Sequence, residues 1–188
     1  ANEDVFEAVA ASLPSLTDKK VSTAAIRALL KCASVKFAPK MFDQIAAAYP
    51  KCDKAVRANL VRFASFDSSP KAVEFCKTAY TDGIKAEAVK ALGDWRNTFA
   101  LDPLVRIAKS ERGEKEKIFA QQALVKAGAF SGFDAESFGY IIRNAVRPEE
   151  KAAAVDGAVK NPSPDAAEML EKNGYTAEAA KVRDALKK

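Results

Sequence analysis

The chain has 188 residues, 48% hydrophobic and 29% charged, a balance that excludes a disordered tail and suits a globular domain. Its net charge of +5 and pI near 9.0 are shared between the halves, with 14 basic and 11 acidic residues in 1–94 and 16 and 14 in 95–188, so an acidic partner is permitted without being demanded. Histidine is absent, which removes Ser-His-Asp and Cys-His catalysis, histidine metal sites and histidine proton shuttles.

Alanine is abundant and β-branched runs are scarce, which favours helices. Val5, Phe6, Val9 and Leu13 predict a first helix ended by Pro14. A second runs from about Asp18 to Ala33, with Val21, Ala25, Ala28, Leu29 and Cys32 on its apolar face. Pro39 opens a third, carrying Met41, Phe42, Ile45 and Tyr49 and closed by Pro50. Asp53 is placed to cap a helix over 54–66, and Ser69-Pro70 starts the next, which Asp82-Gly83 stops. The stretch 85–110 then reads as two short amphipathic helices. Ala88, Val89, Leu92 and Trp95 form the stripe of one, and Leu101, Leu104, Val105 and Ala108 that of the other, with polar residues 96–98 between them.

Past a charged loop at 111–114, Ile118, Ala120, Ala123, Leu124 and Ala127 predict a helix that breaks at Gly128. Asp134 caps the next, striped by Phe138, Ile141, Ile142 and Ala145. Pro148 opens a helix over 149–160. A turn at 161–164, a short helix over 165–172 and a last helix from Thr176, with Ala180, Val182 and Leu186 inside, complete about twelve helices and no strand. Three cysteines, Cys32, Cys52 and Cys76, are widely spaced without a CxxC and read as free, mostly buried thiols. No apolar run approaches the roughly 18 residues of a transmembrane helix. The chain starts at Ala1, inside an expected helix, which suggests a processed or trimmed chain. An exported or periplasmic origin is open, as is a place within a larger multidomain protein.

The helices pair into helix–turn–helix units. Leu29-Leu30, Leu60-Val61, Leu92, Leu124 and Val159 recur at steps of about 31, 32, 32 and 35 residues, a period typical of helical solenoids. The segments AAIRALLKCAS, KAVRANLVRFAS, EAVKALGDWRN and IFAQQALVKAG resemble first helices of HEAT-type repeats, especially the short HEAT-like form of bacterial proteins. Ala91–Trp95 followed by Leu101–Val105 is the nearest single match. The resemblance covers roughly 18–160 and implies an all-α, right-handed α-α solenoid of about five repeats. The single domain expected over 1–188 then has an N-terminal capping helix in 1–17 and C-terminal capping helices in 161–188. The family implies a scaffold or protein-binding surface, and in some HEAT-like proteins DNA binding with removal of alkylated bases. The repeat itself carries no catalytic residues.

In such arrays the second helix of each pair lines the concave face. Its solvent-facing positions are expected to be Lys40, Asp43 and Gln44; Lys71, Glu74 and Lys77; Asp102, Arg106 and Lys109; Tyr140, Arg143 and Arg147; and Asp165, Glu168 and Glu171. The middle leans basic, so Arg106, Lys109, Tyr140, Arg143 and Arg147, with Arg96 in the turn, are candidate contacts for an acidic peptide or a phosphate backbone. The same pattern also describes an ordinary solvated helix face. Trp95 continues an apolar stripe and reads as packing rather than as a binding anchor. Phe130 and Phe133 sit in a loop that could reach a partner or tuck under the neighbouring repeat. The paired carboxylates Glu149-Glu150, and Glu111, Glu114 and Glu116, lie in loops or first turns and do not suggest an acid/base pair. No phosphate loop, metal-ligand cluster or cofactor motif is present. The expected function is a non-enzymatic module that binds a protein or peptide. The alternative is nucleic-acid binding through a basic groove.

Overall fold

The computed structural model describes residues 3–67, 69–95, 98–132 and 134–187, with the side chains of Val35, Phe130 and Ser131 outside that description. Among the described residues the chain is all helical: α1 (Glu3–Ser12), α2 (Lys19–Val35), α3 (Pro39–Ala48), α4 (Lys54–Leu60), α5 (Pro70–Thr81), α6 (Lys85–Gly93), α7 (Leu101–Ser110), α8 (Glu114–Ser131), α9 (Ala135–Asn144), α10 (Pro148–Lys160), α11 (Pro164–Lys172) and α12 (Thr176–Ala185). Short 3-10 turns occupy 13–15, 49–51, 61–66 and 98–100. Side chains start several helices. Asp18 accepts from the Lys20 and Val21 amides, Asp53 from Val56, Asp134 from Ser137 and Ser163 from Ala166, each satisfying a donor that the first turn leaves free. Ser69 is an exception. It sits at the start of α5 without capping it, and its hydroxyl donates to Asp67 at 2.7 Å.

The chain divides into two compact units, 1–92 and 93–188. In the first, α1 packs on α2 and α3, α2 on α4 and the 61–66 turn, and α5 on that same turn. Its core is aromatic. Phe6 meets Phe63 edge-on at 6.1 Å, and Phe75 receives Phe42 at 5.4 Å and Tyr49 at 4.9 Å, arrangements favoured by the ring quadrupoles. The helix expected over 54–66 tightens to 3-10 after Leu60. Residues three apart then align, which brings Phe63 and Phe66 to 6.2 Å. The Tyr49 hydroxyl donates to Asp82 Oδ2 at 3.2 Å, and Arg57 lies 3.3 Å from the same oxygen and 5.6 Å from the Tyr49 ring centroid. Burial, with Asp82 beside it, pushes the Tyr49 hydroxyl up to about 12.

In the second unit each helix from α7 to α12 packs on the next, and alternate helices also touch: α7 on α9, α9 on α11, α8 on α10 and α10 on α12. The core here is aliphatic and alanine-rich, with Leu104, Leu124, Ile141 and Leu170 almost fully buried. Trp95 is 2% exposed, in keeping with a packing role, and its Nε1 has no hydrogen-bond partner among the described residues.

Several stripes differ from the sequence expectation. In α2 the buried residues are Ser22, Ile26, Leu29 and Ala33, and Val21 is 51% exposed. The buried face is thus turned about one residue from the expected one, with Ile26 and Leu29 taken inward. In α12, Ala179 and Val182 are buried while Ala180 and Leu186 are exposed. Gly128 does not end its helix; α8 continues to Ser131 and stops at Gly132, whose φ of 97° suits glycine. Gly128 is there for a different reason. A Cβ at Gly128 would lie 2.6 Å from Phe138, and one at Gly157 would lie 2.5 Å from the same ring. Phe138, 4% exposed, is wedged between α8 and α10.

Replacing either glycine by alanine gains roughly 1 kcal/mol of helix propensity but forces the pinned ring to move. We expect Gly128→Ala and Gly157→Ala each to lower stability by about 1–2 kcal/mol net in urea denaturation. The double variant should lose less than the sum, because both push on one ring. A neutral or stabilising effect of both would contradict the wedge.

Candidate functional site

Of the predicted surface residues, Arg106 and Lys109 fall on α7 and Tyr140 and Arg143 on α9, which pack on each other in the second unit, while Arg147 stands at the start of α10. A cleft of about 280 Å³ lies at the N-terminal ends of both helices, lined by Thr98, Leu101, Asp102, Asp134, Glu136 and Ser137. Its three carboxylates sit where the helix dipoles favour negative charge. Asp102 is also paired with Arg106 at 3.0 Å, and Asp134 is occupied by the Ser137 amide at 2.8 Å. Towards the C-terminal ends the face turns basic, with Lys109 on α7 and Arg143 on α9.

The candidates differ in what they are free to do. Arg106 is exposed, but Asp102 one turn earlier neutralises it. Lys109 is exposed and its Nζ lies 5.5 Å from the Tyr140 ring centroid, a cation–π contact. Tyr140 is not solvent-facing as expected: it is 8% exposed, one turn after Glu136 on the side that faces α7. Burial raises its hydroxyl pKa, and a hydrogen bond with Gln121 partly opposes that.

Arg147 is also committed. Its Nε lies 3.0 Å from Glu150 Oε2, its Nη2 contacts Glu150 Oε1, and Glu149 is 3.8 Å away. Arg96 lies outside the described residues, as does Phe133, and nothing places the Phe130 side chain.

Arg143 remains. It is exposed, and among the described residues no carboxylate lies within 4.0 Å of it. Its guanidinium lies over Gly139, where a Cβ would be 3.1 Å from Nη1 and 3.3 Å from Met169 on α11. A glycine inside a helix costs about 1 kcal/mol against alanine. Here the missing side chain leaves room for the guanidinium to lie back along its own helix beside Met169.

The other expected groove positions, Asp165 apart, are locally paired. Lys40 and Gln44 both reach Glu7, at 3.3 and 3.0 Å; Lys71 pairs with Asp43 at 3.2 Å and Lys77 with Glu74 at 2.7 Å. Glu168 holds Lys172 and Glu171 holds Arg183. Asp165 is exposed in the first turn of α11. The cysteines are free, and burial pushes the Cys76 thiol up to about 12, which leaves it inert at neutral pH. Among the described residues no group of three His, Cys, Asp or Glu is placed to hold a metal ion. Among the described residues no helix is long and apolar enough to cross a membrane.

Sequence reasoning missed Gln121. It is fully buried on α8, donates from Nε2 to the Asn144 carbonyl at 2.8 Å, and accepts the Val146 amide at Oε1 at 3.1 Å. It thus closes the end of α9, where helix carbonyls lose their intrahelical donors, and it steadies the segment bearing Arg143 and Arg147. The available signal was a polar residue in register with Ala120 and Leu124 on an otherwise apolar face.

No family model, curated protein or solved structure matches the chain.

Gln121→Leu should leave a carbonyl and an amide without partners and cost about 2–3 kcal/mol, measured by chemical denaturation. A loss under about 0.5 kcal/mol would show the latch to be dispensable. Hydrogen bonding from Arg147 holds the Glu150 carboxyl below its ordinary value of 4.5. A lowered folded pKa gives stability that is present above the ordinary value and is lost as pH falls through the folded one. Glu150→Gln should therefore lose less stability than the parent as pH drops below about 4.5. Parallel pH profiles for the two proteins would contradict this.

Proposed function

We propose that this chain is a HEAT-like helical-repeat scaffold rather than an enzyme, and that it binds another protein or peptide through the face of α7 and α9. Three features support the repeat reading: the period of about 31–35 residues, the helix hairpins, and the contacts between alternate helices within the second unit. Repeats of this kind bury a continuous apolar strip and leave one helix layer free for partners.

The observation that carries the binding site is Arg143, an exposed, unneutralised guanidinium seated on Gly139. Beside it Lys109 stacks on Tyr140. Arginine and tyrosine are the residue types most enriched where binding energy concentrates. The cations at the C-terminal ends suit an acidic partner segment. The carboxylates at the N-terminal ends of the same helices, Asp102 and Glu136, count against a phosphate backbone running the length of the face.

The test begins with a displayed peptide library panned on the full chain. Selected binders should be acidic and should lose about tenfold or more in affinity against Arg143→Glu or Lys109→Glu, with unchanged far-UV circular dichroism. A selected set in which neither substitution weakens any binder would refute the site. Release of methylated base from duplex DNA by the chain would refute the non-enzymatic reading.

A further inference from the structure

The even split of charge between the halves conceals a strong local excess. Residues 19–66 hold ten lysines and arginines against two aspartates, Asp43 and Asp53, a net of +8. Asp53 caps α4 and Asp43 pairs with Lys71. Helix α2 itself contains no acidic residue. Lys20, Arg27 and Lys31 on it are all exposed, and among the described residues none has a carboxylate within 4.0 Å.

At 100° per residue these three cations lie within about 40° of one another, on a line roughly 16 Å long down the middle of the exposed side. Ala24 lies on the same line. Val21 and Ala28 flank it on one side and Thr23 and Ser34 on the other. Lys19, Lys20, Thr23, Ala24 and Arg27, with Asp18, line an open cleft of about 610 Å³. The Asp18 carboxylate is turned onto the helix start, 2.7 and 2.9 Å from the Lys20 and Val21 amides.

We propose that this face of α2 is a docking site for an acidic amphipathic helix of a partner protein. Charge complementarity selects an anionic partner, and the arrangement selects its shape. Cations at i, i+7 and i+11 match carboxylates spaced one and two turns apart on a second helix packed alongside. Ala24 and Ala28 are small enough for that helix to approach closely, and Val21, 51% exposed, offers it an apolar contact at one end.

A nucleic-acid duplex fits less well. A helix lying in the major groove contacts the phosphates from its flanks and the bases from its centre line. Here the flanks carry Val21, Ala28, Thr23 and Ser34, and the charges occupy the centre. The surface belongs to the first unit and does not depend on the α7–α9 reading.

The experiment uses the full chain and a capped helical peptide of Ala, Leu and Glu with glutamates at i, i+4, i+7 and i+11. A control peptide of the same composition has its glutamates spread around the helix, and a generic DNA duplex is the third probe. The one-faced peptide should bind in low salt at least about tenfold more tightly than the spread one. K20E/R27E/K31E should weaken it about 30-fold, at roughly threefold per charge. K20Q/R27Q/K31Q, a milder change that keeps helix formers, should fall between parent and reversal. Lys181→Glu, an exposed position on α12 that belongs to neither proposed surface, should leave this binding unchanged, so a loss in the triple variants reports on the α2 face and not on net charge. Equal binding of the two peptides, no binding below about 1 mM, insensitivity to both triple variants, or tighter binding of the duplex would each overturn the proposal.

Discussion

The second unit depends on one steric constraint: the Phe138 ring held between Gly128 and Gly157. Both glycines sit inside helices, where they weaken local structure. The compensation is close approach, with α9 seated between α8 and α10 deeply enough to bury Phe138 and Ile141. Seating α9 in this way also decides what it shows. Tyr140 turns towards α7 under Lys109, and Arg143 is carried outward over Gly139. Gln121 then holds the end of the helix where it is. Core packing and surface chemistry are therefore set by the same contacts in this unit.

Charge is treated differently from one surface to another. Some exposed ions are neutralised by a partner one turn away or on the adjoining helix, as in Arg106–Asp102, Lys71–Asp43 and Arg183–Glu171. Such pairs add little stability in water, but they remove fields that would attract charged partners. Arg143 and the Lys20, Arg27 and Lys31 line of α2 lack this neutralisation and also have a defined setting, Gly139 beneath the one and an acid-free helix face around the other. The two units also reach their cores by different means. The first interlocks aromatic rings around Phe75 and Phe63, and the second fits alanines and glycines closely.

The helices were legible in the sequence because their stripes, caps and prolines agree. Asp53 and Asp134 cap where expected, and Pro39, Pro70 and Pro148 sit at helix starts. What failed was rotation and small residues. Val21 and Ile26 are both β-branched and apolar, and the pattern alone could not show which one α2 turns inward. Gly128 carries the usual mark of a helix end, and only the ring of Phe138, ten residues on, gives its actual reason. The candidate surface was legible as a list of outward positions, but not in its chemistry. Pairing of Arg147 with Glu150 and burial of Tyr140 depend on how neighbouring helices meet, which spacing along one helix does not encode. Counting charge by halves likewise hid the excess on α2.

The central claim is that function resides on exposed helix faces held by a rigid core. Amide hydrogen exchange of the full chain, with and without a selected peptide that Arg143→Glu weakens and K20E/R27E/K31E does not, tests this most directly. Protection confined to α7 and α9, residues 101–110 and 135–144, with the rest of the chain unchanged, is the predicted result. Protection spread evenly through both units, or absent from α7 and α9, would contradict it.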